Sequence, residues 1–145
     1  MKFATKTLIL GLIMVGGIAL AESKAADPDV YARQNLMQGN GGALGALGGM
    51  AKGEKEFDAA AAEAAKQTLI ANAADIAAKF TNNATDPENH AKAEVWTNWD
   101  DFVAKAAALG TAAAALDTSS LDGVKAGLGA IGGACKDCHT TYKAS

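Results

Sequence analysis

Residues 121–142 read LDGVKAGLGAIGGACKDCHTTY and contain the strongest helical pattern of the chain. Their apolar side chains recur at alternating intervals of three and four, at Leu121, Val124, Leu128, Ile131, Cys135, Cys138 and Tyr142. A mean interval of about 3.5 residues is typical of a helix that packs against other helices. Both cysteines therefore lie on the face that the helix buries, and His139, four residues after Cys135, lies beside them.

This helix also contains Cys135-Lys136-Asp137-Cys138-His139, a C-x-x-C-H motif, which is the attachment signature of c-type haem. A thioredoxin-like redox pair has the same cysteine spacing, but it lies in a β-α-β setting, and no strand pattern surrounds this one. A zinc site would need two more ligands, and His90 is the only other imidazole. The motif favours a haem held by two thioethers over these sites and over a haem-free helical protein with an incidental match.

The first expected helix spans about residues 28 to 52, with Asp27 as its N-cap and Pro28 in its first turn. Its spacing of three and four places on one stripe Val30, Arg33, Met37, Asn40, Leu44, Leu47 and Ala51. Glycines within the segment favour a break near Gly41 by helix propensity, whereas the stripe favours continuity. We predict one continuous helix.

Two further helices complete the pattern. One begins after Asp58 as N-cap and runs to about Phe80, and the other follows Asp86-Pro87 by a few residues. The stripe of the latter consists of Val95, Trp99, Phe102, Ala106, Leu109, Ala113 and Leu116. Four such helices with short connections predict an all-α, antiparallel four-helix bundle, and the 3.5 period predicts left-handed packing. We expect Trp96 and Trp99 to pack in the core or against a haem.

The N-terminus has the layout of a bacterial export signal. Lys2 and Lys6 precede an apolar run over residues 8–18, and a small-residue cleavage site follows at residues 19–21. The run is shorter than the ~20 residues that a spanning helix needs, so we expect no stable membrane anchor. We predict that residues 1–21 are a cleaved signal peptide and that residues 22–145 form one periplasmic domain. A net charge of −3 without a basic cluster argues against a nucleic-acid partner.

The chain resembles the class II c-type cytochromes, which comprise the five-coordinate cytochromes c′ and their low-spin, six-coordinate relatives. The resemblance spans essentially all of the expected mature chain. It rests on an N-terminal Arg-Gln-x-x-Met and a C-terminal C-x-x-C-H, with weaker matches between them. The matching stretches are Arg33-Gln34-Asn35-Leu36-Met37, Lys52-Gly53-Glu54 with Phe57-Asp58, Glu94-Val95-Trp96, and Cys135 to His139 with Tyr142-Lys143.

The resemblance implies a set of haem contacts. Cys135 and Cys138 would form thioether bonds to one haem c, and His139 would bind its iron. Arg33 and Gln34 would contact the haem edge and its propionates, and a buried arginine does need such an anionic partner. The alternative for Arg33 is a side chain that reaches out to water.

Two positions depart from the family pattern. Lys143 stands where many cytochromes c′ have arginine, which puts in question any effect of that position on the proximal histidine. Asn89 and His90 occupy a region that often supplies an acidic or hydroxyl haem contact. We expect His90 to be solvated, and it is the first alternative to His139 as an iron ligand.

The expected function is electron transfer and not catalysis, since no set of residues is arranged for acid–base or nucleophilic chemistry. Its partners would be periplasmic redox proteins, and relatives that dimerise suggest a homodimer. The alternative is capture of nitric oxide or carbon monoxide at an open iron site, as in cytochromes c′. Met37 distinguishes the two, because an iron-bound thioether closes the site and typically raises the potential.

Overall fold

The computed structural model describes residues 24–145, whose regular structure consists of five α-helices. These helices are α1 (Pro28–Lys52), α2 (Ala59–Lys79), α3 (Glu94–Thr97), α4 (Trp99–Ala114) and α5 (Leu121–Tyr142). None of them is long and apolar enough to cross a membrane. The expected signal peptide, residues 1–21, and its cleavage site before Glu22 lie outside the described residues.

The four long helices form a bundle in which each packs against its neighbours. α1 packs on α2, α2 on α4 and α4 on α5, while α5 returns to α1. The core between them is built from small and medium side chains, and its fully buried members include Leu47, Leu69, Leu116 and Ile131. The prediction of an all-α four-helix bundle is confirmed.

α1 begins and ends where the sequence predicts. The Asp27 carboxylate accepts hydrogen bonds from the backbone N–H groups of Asp29 and Val30, at 2.8 and 3.1 Å. At the other end Gly53 adopts φ 75°, a left-handed conformation that favours glycine, and its N–H donates to the Met50 carbonyl. The helix runs through Gly41 without a break, so burial outweighs the low helix propensity of its glycines.

The buried face of α1 is wider than the predicted stripe. Leu36, Ala43 and Met50 are buried, whereas the stripe members Met37 and Leu44 are only half-buried. The physical reason is that α1 packs against both α2 and α5, so a single row of side chains cannot cover both contacts. Asn40 is buried as predicted, and its side-chain oxygen accepts a hydrogen bond from Asn72 of α2 at 3.0 Å.

The third predicted helix is divided. The short α3 begins a few residues after Asp86-Pro87, as predicted, but it is separated from α4 at Asn98, whose φ of −127° and ψ of 50° are not helical. Asp86 fixes the segment before α3, because its carboxylate accepts hydrogen bonds from the backbone N–H groups of both Asp27 and Glu88. These bonds fix turns instead of a helix. The predicted apolar stripe is nevertheless buried, apart from the half-buried Trp99.

Candidate functional site

An apolar pocket lies between the first half of α1 and the last turns of α5. Its cavity has a volume of about 140 Å³, and the pocket is open to solvent on one side. α1 contributes Val30, Arg33, Gln34 and Met37 to its lining, and α5 contributes Cys138, His139 and Tyr142. The pocket thus brings together five of the six site residues predicted from the sequence.

The sixth predicted residue, Cys135, lies one helical turn before Cys138, half-buried against the edge of the core. Both thiols are free, so the cysteines do not form a disulfide in this structure. Burial raises the pKa of Cys135 and raises the pKa of Cys138 to about 11. They are therefore protonated thiols at neutral pH, unlike the low-pKa thiolate of a thioredoxin-like redox site.

His139 lies at the rim of the pocket and is exposed in the protein alone. Partial burial lowers the pKa of its imidazole, and the positive charge of Lys143 lowers it further. Both effects favour the neutral ring, which is the form that binds a metal.

Arg33 is buried, with only 4 % of its surface exposed, and is fixed by four contacts. Its Nε donates to the Lys79 carbonyl at 2.9 Å, and its Nη2 donates to the Asn82 carbonyl. The guanidinium also lies over the rings of Phe80 and Trp96, 4.8 and 5.4 Å from their centres. Arg33 therefore does not reach out to water.

One nitrogen of Arg33 has no partner. Nη1 is buried and makes no hydrogen bond, although the residue lines the pocket. Burial lowers the pKa of the guanidinium, because the charged form loses its solvation. A buried donor on a charged group is costly to leave unsatisfied, so this atom marks a place for an anionic group.

Gln34 fastens two chain segments beside the pocket. Its Nε2 donates to the Glu88 carbonyl at 3.2 Å, and its Oε1 accepts the backbone N–H of Ala25 at 3.3 Å. In the protein alone this amide thus links the segment before α1 to the loop before α3. A direct contact between Gln34 and a haem remains a prediction.

Residues 88–91 form a pocket wall that the sequence does not predict. This loop is attached to the end of α5 by an antiparallel bridge between Ala91 and Lys143. Two backbone bonds flank the bridge, from Lys92 N–H to the Tyr142 carbonyl at 2.9 Å and from Ala144 N–H to the His90 carbonyl at 2.8 Å. A long-range bridge between two irregular segments leaves no periodic signal that sequence reasoning could detect.

Met37, the predicted second iron ligand, and His90, the alternative to His139, both line the pocket. Met37 is half-buried and lines the pocket from α1. His90 is exposed, as expected, but it belongs to the loop wall and not to the start of a helix. A neighbouring polar groove is lined by both residues, so each is also accessible from that side.

Aromatic side chains close the inner end of the pocket. Phe80, Phe102 and Tyr142 line it, and the Phe102 ring centre lies 5.1 Å from that of Phe80 and 5.2 Å from that of Tyr142. Trp96 is half-buried behind them, and its indole N–H donates to the Phe80 carbonyl at 2.7 Å. The two tryptophans pack against the core, as the sequence predicts.

These residues suit a covalently attached haem. The pocket is apolar, the second cysteine and the histidine of C-x-x-C-H face it, and the unpartnered Arg33 Nη1 can receive an anionic edge. A haem has this distribution of properties, with an apolar macrocycle and two propionates. Fold and site together define a helical bundle with a haem-attachment motif on its last helix.

Comparison with known proteins agrees with this class. The family model described as Cytochrome C′ matches residues 29–143. The chain is 37 % identical to cytochrome c-556 of Agrobacterium fabrum (strain C58 / ATCC 33970) over 146 residues, which cover 99 % of this chain and 95 % of that protein. The chain therefore belongs to the cytochrome c′ family, the class II c-type cytochromes, which carry covalently bound haem c.

Two solved structures show the same fold. An NMR-validated structural model of oxidised cytochrome c556 from R. palustris has a TM-score of 0.74 and 28 % identity, covering 81 % of this chain and 97 % of that one. A variant of cytochrome c prime from Alcaligenes xylosoxidans in complex with nitric oxide has a TM-score of 0.71 and 26 % identity, covering 81 % of this chain and 94 % of that one.

Proposed function

We propose that this protein is a monohaem electron carrier of the bacterial periplasm. The observation that carries the proposal is the pocket itself, in which the C-x-x-C-H helix faces Arg33 and Met37 of α1. When bound, the haem supplies a one-electron ferric/ferrous couple. The protein's own contribution is to attach the group, bury it and hold its surroundings fixed.

In this proposal the motif residues attach and ligate the haem. Cys135 and Cys138 would hold the haem through thioether bonds, and His139 would bind its iron through the neutral imidazole. Their placement on successive turns of one helix supports this role, since all three then approach the same side of a flat ring. Burial raises the pKa of both thiols and keeps them protonated.

Arg33 and Gln34 are proposed to hold the propionate edge. The free Nη1 of Arg33 supports a charge-assisted hydrogen bond to a propionate, while its other nitrogens keep the side chain in place. Gln34 supports the edge by holding the Glu88 carbonyl and the segment before α1.

Met37 determines which of two functions the site performs. With the thioether on the iron, the haem is six-coordinate and low-spin, and electron transfer is the function. With Met37 only lining the pocket, the iron is five-coordinate and can bind a diatomic gas. The Alcaligenes relative that was solved with nitric oxide makes this the second candidate function. We favour ligation, because Met37 lines the pocket from α1 while His139 lines it from α5.

Optical spectra of the oxidised and reduced protein test the proposal. Ligation by Met37 predicts sharp, split α and β bands in the reduced state, and Met37→Leu should abolish them. Met50→Leu is the matched control, because Met50 is a buried methionine of the same helix outside the pocket. A broad high-spin spectrum in the parent protein would refute ligation and favour gas binding. A protein without covalently bound pigment would refute both functions.

The periplasmic location rests on the expected signal peptide. We propose that residues 1–21 are removed during export and that residues 22–145 fold as one domain. The intact mass of protein recovered from a periplasmic extract should correspond to a chain that starts at Glu22, with one haem added. A mass that includes residues 1–21 would contradict both the cleavage and the location.

A further inference from the structure

α4 holds the haem-binding end of α5 through two polar contacts outside the pocket. One joins Asp101 to Tyr142, the last residue of α5, and the other joins Lys105 to Asp137, which lies between the two cysteines. The Lys105 ammonium is 2.5 Å from the Asp137 carboxylate and 4.0 Å from the Asp101 carboxylate. A line of two negative charges and one positive charge thus runs along the back of the attachment motif.

Tyr142 connects this charged line to the pocket. Its ring lines the pocket and is only 3 % exposed. Its hydroxyl donates to the Asp101 carboxylate at 2.5 Å and accepts from the Asn98 amide at 3.0 Å. Burial is the larger cause and the hydrogen bond to the Asp101 carboxylate the smaller one that together raise the pKa of Tyr142 to about 12. The phenol is therefore neutral, and the charge of Asp101 stays fixed beside it.

The break between α3 and α4 makes this arrangement possible. Asn98 leaves the helical conformation there, and its amide reaches Tyr142. Asp101 follows in the first turn of α4, where the Asn98–Tyr142 contact brings the phenol within its reach. Asp100, its neighbour in sequence, is exposed and takes part in no such contact.

We propose that Asp101 is a positioning residue that lowers the reduction potential of the haem through Tyr142. A negative charge held near the haem stabilises the ferric form, which is the more positive of the two oxidation states. Lys105 acts in the opposite direction by offsetting part of that charge. This inference rests on the proposed haem attachment and adds residues of α4, outside the pocket lining, to the determinants of the potential.

The midpoint potential of the purified holoprotein, measured at one neutral pH, tests the inference. The Asp101 side chain is 45 % exposed, so solvent weakens its effect. At a fixed applied potential, Asp101→Asn should lower the ratio of oxidised to reduced protein about threefold. At 59 mV per tenfold change in this ratio, the midpoint potential then rises by about 28 mV. Asp101→Glu should retain most of the parent value. Lys105→Gln should shift the potential in the negative direction.

Tyr142→Phe separates a specific contact from a general charge effect. Without the phenol the Asp101 carboxylate turns to solvent, so Tyr142→Phe should shift the midpoint potential in the positive direction. Adding Asp101→Asn to Tyr142→Phe should shift the potential no further. Asp100→Asn removes the same charge one residue away and should leave the potential near that of the parent.

Equal shifts in Asp101→Asn and Asp100→Asn would overturn the inference while leaving the proposed function intact. An unchanged potential in Asp101→Asn, in a protein whose unfolding midpoint falls, would assign the contact to stability alone and would also overturn it. A parent protein without covalently bound haem would overturn the proposed function and this inference together.

Discussion

Replacement of Arg33 by methionine tests whether the buried guanidinium serves the haem or only the bundle. Methionine retains an unbranched apolar stem but removes the charge and all the donors. The variant loses the hydrogen bonds to the Lys79 and Asn82 carbonyls and the contacts with two aromatic rings. It also removes the cost of the unsatisfied Nη1, which offsets part of the loss.

The magnitude follows from these contacts. The two carbonyls belong to exposed residues, so each lost hydrogen bond costs about 0.5–1.5 kcal/mol, and the cation–π contacts contribute about 0.5–2 kcal/mol. The relief of the desolvated charge offsets part of this sum, so we expect a loss of about 3 kcal/mol in the haem-free protein. If a propionate accepts a hydrogen bond from Nη1, the substitution should lower the free energy of unfolding of the holoprotein by a further ~1.5–3 kcal/mol, the value of a hydrogen bond to a charged group.

Denaturant unfolding of four proteins measures the difference. The free energy of unfolding is measured with and without Arg33→Met in the holoprotein, and again with and without it in a haem-free protein that has serine at both cysteines. Lys79→Met is the control, because Lys79 is an exposed cation nearby, and its loss should change stability by less than about 0.5 kcal/mol. Equal losses for Arg33→Met in the two backgrounds would refute the propionate contact.

A second measurement applies if the haem-free background does not fold. A fixed cation near the haem favours the ferrous form, so Arg33→Met should lower the midpoint potential of the holoprotein. Lys79→Met should change it much less, because an exposed charge is screened. An unchanged potential in Arg33→Met would also refute the contact.

Three further predictions follow from single contacts. Serine at both Cys135 and Cys138 should remove the haem that otherwise stays with the chain in denaturing electrophoresis; pigment that acid and organic solvent extract from the parent would contradict thioether attachment. Backbone hydrogen bonds lower the pKa of Asp86, so its stabilising effect is present above about pH 4 and lost as pH falls through the lowered pKa; Asp86→Asn should flatten the acid limb of a stability–pH curve, and an unchanged limb would count against it. Gly123→Ala should lower the unfolding midpoint, because a Cβ there would lie 2.7 Å from the Asp117 carbonyl oxygen, whereas Gly129→Ala, with open space, should not.

Local signals in the sequence were sufficient for α1, α2 and α5. α1 and α5 have the predicted limits because the Asp27 N-cap and the two apolar stripes are set by residues close together in the chain. The division at Asn98 was not predictable in this way. It depends on Tyr142, 44 residues further along the chain, which takes up the Asn98 amide. The buried apolar stripe continues from α3 into α4, so the apolar spacing gives no sign of the break at Asn98.

The site was predictable to a similar degree. The C-x-x-C-H motif and the Arg-Gln-x-x-Met pattern predicted six site residues, and the structure places five of them in one pocket. The loop wall was missed because backbone groups hold it, between His90 and Ala144 and between Lys92 and Tyr142. Backbone hydrogen bonds between irregular segments are independent of side-chain identity and therefore leave no pattern in the sequence.

The glycines of α1 divide this helix into two halves of different local stability. Residues 28–38 contain no glycine and include the pocket residues, whereas residues 39–49 contain six glycines, each costing about 0.8–1.0 kcal/mol relative to alanine. Backbone amides of the second half should therefore exchange with solvent deuterium through local opening, while those around Arg33 and Met37 exchange only when the bundle unfolds. We therefore expect α1 to open at its far end without disturbing the pocket that its first half lines.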